Sequence, residues 1–196
     1  MEIKSAKFLK SVTNKSNFYD DEIAEIAFVG RSNVGKSSLL NSLTNCSSLA
    51  RTSKTPGRTR MINYFLINNE FRFVDLPGYG YHQAGKAMEE NWAELMDDYL
   101  TKSKNLALVV LLLDIRHEPT KLDLLMIDFL FAKQIPFIVV ATKTDKIAKS
   151  KINNNLNSLS KKIKIPVGNI FPHSTMEIKS KIKILNYLES FLTKDN

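Results

Sequence analysis

Eight consecutive residues, Gly30, Arg31, Ser32, Asn33, Val34, Gly35, Lys36 and Ser37, fit the spacing G-x-x-x-x-G-K-[ST]. Glycine at the two fixed places opens backbone conformations closed to other residues, so that successive N–H groups can turn inward around an anion. A helix starting at Lys36 would add its N-terminal N–H groups to the same cradle. Lys36 is placed to neutralise the β- and γ-phosphates of a nucleotide, and the Ser37 hydroxyl to ligate Mg²⁺. A glycine turn with a solvated lysine is the plain alternative. The segment EIAFV before the turn and KSSLLNSLT from Lys36 onward disfavour it, because they supply the strand and helix that this chemistry needs.

Further clusters follow in order. Asp75, Leu76, Pro77 and Gly78 close the alternating segment FRFVDL. D-x-x-G alone is a weak signal. Behind a phosphate loop, its Asp can hold Mg²⁺ through water and the Gly78 N–H can meet a γ-phosphate. Loss of that phosphate would free the segment to move. Thr142, Lys143, Thr144 and Asp145 follow the apolar run FIVVA and fit [NT]-K-x-D. A carboxylate at the last place can accept two hydrogen bonds, from the ring N–H and the amino group of guanine. Adenine lacks that pair of donors and would leave the carboxylate unpaired. The alkyl stem of Lys143 can lie along the base. Ser174 and Thr175 could present backbone N–H groups to the guanine carbonyl, whereas His173 beside them reads more simply as an ordinary exposed or half-buried histidine. The loop with Thr55, Pro56, Gly57, Arg58 and Thr59 offers hydroxyls to complete a Mg²⁺ shell. Thr59, nearest the following strand, is preferred over Thr55 and Thr52. Arg58 reads as a solvated arginine or an RNA-phosphate contact before a catalytic one.

Holding these groups together requires a particular scaffold. Period and breakers predict a strand over 25–30, a helix from Lys36, and an antiparallel hairpin of MINYFLI and FRFVDL split by Asn68, Asn69 and Glu70. They also predict helices over 86–103, 121–133, 149–164 and 177–192, with strands LALVVLLLD, PFIVVATKTD and VGNIFPHS between them. This is an α/β fold of P-loop NTPase type, a three-layer α/β/α sandwich. Its sheet has six or seven mostly parallel strands with one antiparallel, and helices lie on both faces. Ligands of such sheets bind beyond the carboxyl ends of the strands, where every motif above falls. A single domain over 1–196 is expected, with residues 1–20 as an N-terminal extension packing on or near the sheet.

A chain of 196 residues can bury a core without disulfides. Cys46 is its one cysteine, which excludes an internal disulfide and reads as a small apolar filler. No apolar leader opens the sequence, and the run over 106–113 is too short to span a bilayer, so a cytoplasmic protein without membrane contact is expected. The net charge of +8 favours polyanions. Lysines scattered over the surface would explain that charge equally well, although KSKINNNLNSLSKKIKI is a denser cluster.

GRSNVGKSSLLNSL, TPGRTRMINYF, DLPGYGY, LLLDIRHEPTKLD and ATKTD, in this order, resemble the EngB (YihA/YsxC) GTPases of the TrmE–Era–EngA–EngB–septin-like group. The resemblance spans about residues 5–192. It implies a cytosolic GTPase that acts in assembly of the large ribosomal subunit, with pre-ribosomal particles and rRNA as partners, and that is needed for normal cell division and septation. A monomer in solution is expected. It further implies that residues 30–37 bind phosphates, that Ser37 and Thr59 bind Mg²⁺, and that Gly57, Arg58, Thr59, Arg60 and Met61 line the switch-I side. Asp75 to Gly78 form the switch-II turn, and Thr142 to Asp145 with His173, Ser174 and Thr175 hold the base. The chain departs from the family's Phe-Ser-Ser and downstream glycine at His173-Ser174-Thr175 and Ser180.

In Ras-like switches a Gln directly after D-x-x-G orients the attacking water. Tyr79, Gly80 and Tyr81 stand here instead, and Gln83 comes later. Slow intrinsic hydrolysis is therefore expected, with Lys36, Thr59, Gly78 and Mg²⁺ stabilising charge. A partner, or a monovalent cation such as K⁺ near Asn33, would supply the rest. The competing reading is a GTP-gated rRNA-binding scaffold whose hydrolysis hardly matters. A P-loop nucleotide kinase is disfavoured, because it has no need of Thr142 to Asp145 and the chain lacks an arginine-rich lid. Arg116 and His117 could face a partner or simply sit in a capped turn before the next helix.

Overall fold

The computed structural model describes residues 1–50, 61–80 and 86–192, with the backbone alone over 86–92. Thr52, Thr55, Gly57, Arg58, Thr59, Arg60 and Gln83 lie outside the described residues. Element order is β1 (Ala6–Val12), β2 (Glu25–Gly30), α1 (Lys36–Thr44), β3 (Ile62–Ile67), β4 (Phe71–Asp75), α2 (Lys86–Lys102), β5 (Leu106–Asp114), α3 (Lys121–Ala132), β6 (Phe137–Thr142), α4 (Lys149–Ile163), β7 (Ile170–Pro172) and α5 (Ile178–Leu192). The strands form one seven-stranded sheet in the order β1-β3-β4-β2-β5-β6-β7. Only β3 runs against its neighbours. The remaining pairs are parallel.

Side chains alternate along a strand, so successive residues of β5 feed opposite layers. Val109, Leu111 and Leu113 pack with Leu95, Ile127 and Leu156 of α2, α3 and α4. Leu108, Val110 and Leu112 pack with Leu40 and Leu43 of α1 and Leu185 of α5. The central strands are apolar on both sides because both sides are covered. The hairpin between β3 and β4 turns through Asn68 and Asn69, both left-handed at φ 53° and 59°. Asn tolerates that region at low cost, and paired positive φ values give the turn whose twist matches the strands. The Asn68 side chain also accepts from the N–H groups of Lys4 and Ser5 at 2.8 and 3.1 Å, which holds the first residues beside the hairpin.

Two elements differ from the sequence expectation. Residues 6–12, placed on or near the sheet, are a strand within it. The register slips between Phe8 and Lys10, a bulge that breaks the period of two, and the lysines there suit an edge strand. The sequence predicts a last strand over 167–174, but it covers only 170–172. Val167–Asn169 forms a 3-10 turn instead. Pro166 and Gly168 favour a turn over extended pairing, and Pro172 has no N–H to continue a ladder.

Candidate functional site

The parallel strands place their carboxyl ends in a row. Phe28 pairs with Asp75, Gly30 with Leu112, Asp114 with Thr142, and Ala141 with Pro172. The phosphate loop, Asp75, the 142–145 turn and residues 173–175 therefore line one edge of the sheet.

At Gly30 a Cβ would stand 2.9 Å from both the Leu112 carbonyl oxygen and Val34 Cγ1, so the residue is needed for close packing and not for its backbone angles. Gly35 is left-handed at φ 108° and caps α1. Asn33 is left-handed too, at φ 64°. Alternating backbone hands of this kind turn N–H groups inward into an anion nest. The Ser32 N–H is already taken, donating to the Tyr79 carbonyl at 2.9 Å. Lys36, the second residue from the loop's end, donates to the Asp75 carboxylate. Ser37 beside it is half-buried. Hydroxyl and carboxylate oxygens are the hard donors Mg²⁺ takes, alongside phosphate oxygens and water. Among the described residues there is no group of three His, Cys, Asp or Glu side chains that could hold a metal unaided. Leu76 is fully buried and anchors the strand end. Pro77 stays buried with it, while Gly78 lies against the loop, where a Cβ would come within 3.1 Å of the Ser32 backbone.

The base-side turn is fastened to the phosphate loop. Thr142 Oγ1 donates to the Val34 carbonyl at 2.7 Å, and Lys143 Nζ donates to the Asn33 carbonyl at 2.7 Å. The Thr144 N–H donates to the His173 carbonyl at 3.3 Å, which joins the turn to the last loop. Asp145 faces outward and pairs with Lys146 at 3.1 Å. Partial burial pushes its carboxyl up, but hydrogen bonds from Lys146, its own backbone and Ser174 outweigh that and hold it below the usual range. An ionised carboxylate at this place can accept two donors from one ligand edge.

A sequence model of 50S ribosome-binding GTPases matches residues 25–143. The probable GTP-binding protein EngB of Clostridium kluyveri is 47% identical over 193 residues, which cover 98% of each chain. The chain belongs to the EngB family of GTP-binding proteins. The EngB protein of Caldanaerobacter subterraneus subsp. tengcongensis is 42% identical over 99% of this chain and all of its own length. A crystal structure of a probable GTP-binding protein EngB superposes with a TM-score of 0.73 at 28% identity, covering 88% of this chain and all of that one. The fold is shared with Era bound to MgGDPNP and nucleotides 1506–1542 of 16S ribosomal RNA, at a TM-score of 0.70, 22% identity, and coverage of 89% and 58%.

In this EngB chain, the structure brings Gly30 to Ser37, Asp75 to Gly78, Thr142 to Asp145 and residues 173–175 to one sheet edge. Met61 lies just before β3 with its side chain exposed. Tyr79 stands where a water-orienting Gln would be needed. It is buried, and its hydroxyl donates to Asp123 at 2.7 Å. Asp123 also closes the capping box of α3 with Thr120. Sequence reasoning missed this link and a second one, from Lys143 to Asp114 at 3.0 Å. The signal for the second was a lone carboxylate ending the apolar run LALVVLLLD, at the same edge as the motifs. Arg116 is held by Asp114 through its N–H at 3.1 Å and its Nη2 at 2.7 Å, and α3 opens on the Thr120 cap, so 115–120 is the capped turn.

His173, expected to be exposed or half-buried, is instead 2% exposed, because it is packed beside Ser180 of α5. Ser180 Oγ donates to the Glu177 carbonyl at 2.8 Å, so it accepts from His173 Nδ1 at 3.1 Å. Nε2 then carries a buried lone pair with no hydrogen-bond partner. Burial pushes the imidazole down to about 4, against a small opposing pull from Asp145. The unfolded chain therefore binds a proton between pH 6.5 and 4 that the folded chain refuses. Stability is complete above pH 6.5 and falls by about 3 kcal/mol as the pH drops through this window. Urea unfolding at pH 7.5 and 4.5 should show this loss in the unaltered protein and a much smaller one in His173→Phe. Equal losses in both would contradict it.

Proposed function

We propose that this EngB-family chain hydrolyses GTP slowly as a switch in assembly of the large ribosomal subunit, and that division and septation depend on that step. The observation carrying the reading is the fastening of the guanine-type turn to the phosphate loop through Thr142 and Lys143. One rigid edge can then grip a triphosphate and test the base together.

In this reading Lys36 and the loop N–H groups of residues 33 and 35–37 face the β- and γ-phosphates, while the Val34 N–H donates to the Arg31 carbonyl at 3.1 Å. Lys36 shares itself between Asp75 and the phosphates when nucleotide arrives. Ser37 and Thr59 would ligate Mg²⁺, with Asp75 reaching it through water; the bound cation neutralises developing phosphate charge. The Gly78 N–H meets the γ-phosphate, and its close approach to Ser32 makes any side chain there disruptive. Water attacks the γ-phosphorus, the bond to the bridging oxygen breaks, a proton of the attacking water passes to a phosphate oxygen, and GDP and phosphate leave. Asp145 reads guanine, and the 173–175 loop meets the guanine carbonyl. The buried Tyr79 hydroxyl, committed to Asp123, leaves no side chain at that place to orient the water, which supports a slow basal rate. A partner or K⁺ near the exposed Asn33 would raise it.

The ribosomal part of the proposal draws on the matched family, on the charge of +8, and on the fold shared with an Era structure that holds ribosomal RNA. The protein acts as a cytoplasmic monomer. Depleting it from its host should accumulate incomplete large subunits in sucrose gradients. An unchanged ribosome profile would overturn the ribosomal role. The buried Tyr79 also favours a second reading, a GTP-gated rRNA scaffold. Gly78→Ala, checked to bind GTP without hydrolysing it, separates the two: if it restores normal profiles the scaffold reading stands, and if it does not the switch reading stands.

A further inference from the structure

We propose that Asp114 is a positioning residue for guanine-nucleotide binding, acting as the charged anchor that holds Lys143 across the gap between the base-side turn and the phosphate loop. The inference rests on the reading of the 142–145 turn as the guanine site.

The argument starts from the burden on Lys143. Its backbone is left-handed at φ 64°, a region that side chains other than Gly and Asn occupy at a cost. A long, four-carbon side chain also has much rotamer entropy to lose when fixed. Its ammonium is nonetheless tied at both available acceptors, the Asn33 carbonyl at 2.7 Å and Asp114 Oδ2 at 3.0 Å. A neutral carbonyl alone is a weak hold on a solvated ammonium. A carboxylate whose side chain is 4% exposed is a stronger one, because charge-assisted bonds gain where water is excluded.

Asp114 can stay charged there because it is fully coordinated. Oδ1 accepts from the Arg116 backbone N–H at 3.1 Å and Nε at 2.9 Å. Oδ2 accepts from Arg116 Nη2 at 2.7 Å and from Lys143. Burial pushes this carboxyl up, but the Arg116 and Lys143 bonds reverse that and hold it well below the usual carboxylate range. Without the carboxylate, the Lys143 ammonium and the Arg116 guanidinium would face each other as like charges. Lys143 would then swing to solvent, and its stem would no longer lie where a base can stack. Asp114 touches no nucleotide in this account; it works through Lys143.

Dissociation constants of a fluorescent GDP analogue should be measured for the unaltered protein, Asp114→Asn, Lys143→Ala, the double variant and Arg116→Ala. Asp114→Asn should weaken GDP about tenfold, with its circular dichroism unchanged. In the Lys143→Ala background the same change should add less than twofold. Arg116→Ala removes donors to the carboxylate but leaves Lys143 bonded to it, so it should weaken GDP by clearly less than Asp114→Asn does. The proposal is overturned if Asp114→Asn binds normally, if its effect is undiminished without Lys143, or if Arg116→Ala weakens GDP as much. Should Asp114→Asn fail to fold, Asp114→Ser takes its place in the same cycle: a loss of GDP affinity that disappears in the Lys143→Ala background upholds the proposal, and normal binding or a loss that persists there overturns it. Failure of the unaltered protein to bind GDP at all would strike the reading of the site itself, and this inference with it.

Discussion

An Asp145→Asn protein should lose affinity for GTP by roughly a thousandfold while gaining affinity for xanthosine triphosphate. Guanine presents a ring N–H and an amino group side by side, and the ionised carboxylate accepts both. Asparagine offers one acceptor and one donor, so its amide N–H₂ would confront the guanine amino group with no acceptor between them. Each unpaired group in a dehydrated contact costs its full desolvation. Xanthine replaces that amino group by a carbonyl oxygen, which the amide can serve. Asp145 suits the role because it is ionised, faces outward, and is steadied by Lys146 and Ser174. Competition titrations against a fluorescent guanine nucleotide check the exchange. A variant that lost GTP without gaining the xanthine nucleotide would show that Asp145 supports the turn and does not read the base.

Lys36→Ala should abolish measurable hydrolysis, a drop of at least about a hundredfold, and should also weaken the nucleotide-free protein. The first effect follows from removing the loop's side-chain cation that reaches the Asp75 carboxylate at the sheet edge. The second follows from Asp75, 5% exposed, which loses the ammonium it is paired with. Removing one member of a buried pair costs about 3 kcal/mol, because the remaining charge is stranded. Thermal unfolding without nucleotide should therefore start several degrees lower in the variant. Phosphate release under multiple turnover tests the first effect, and an unchanged melting temperature would contradict the second.

Much of this architecture is legible in the residues. The apolar runs 106–113 and 137–141 could only be strands covered on both sides, and they are. Asn68 and Asn69 mark the hairpin because few other side chains accept positive φ. The motifs fall at strand ends because their spacing counts strands and helices. The edges of the sheet were less legible. β1 carries a bulge that scrambles its alternation, and β7 is too short to show any period. The geometry at the motifs was partly hidden as well. Gly30 is glycine for packing and Asn33 takes the left-handed place, which no count of glycines reveals. The links from Tyr79 to Asp123 and from Lys143 to Asp114 join residues 44 and 29 positions apart. Pairings of that kind depend on register, and register emerges only when the sheet is assembled.

The central claim is that one strand edge grips a triphosphate and checks its base at the same time. Equilibrium titration with fluorescent GDP, GTP and ATP, with and without Mg²⁺, tests it most directly. Tight binding of both guanine nucleotides, strengthened by Mg²⁺ for GTP, with ATP at least about a thousandfold weaker, is the predicted result. Equal affinity for ATP, or no binding of guanine nucleotides, would contradict it.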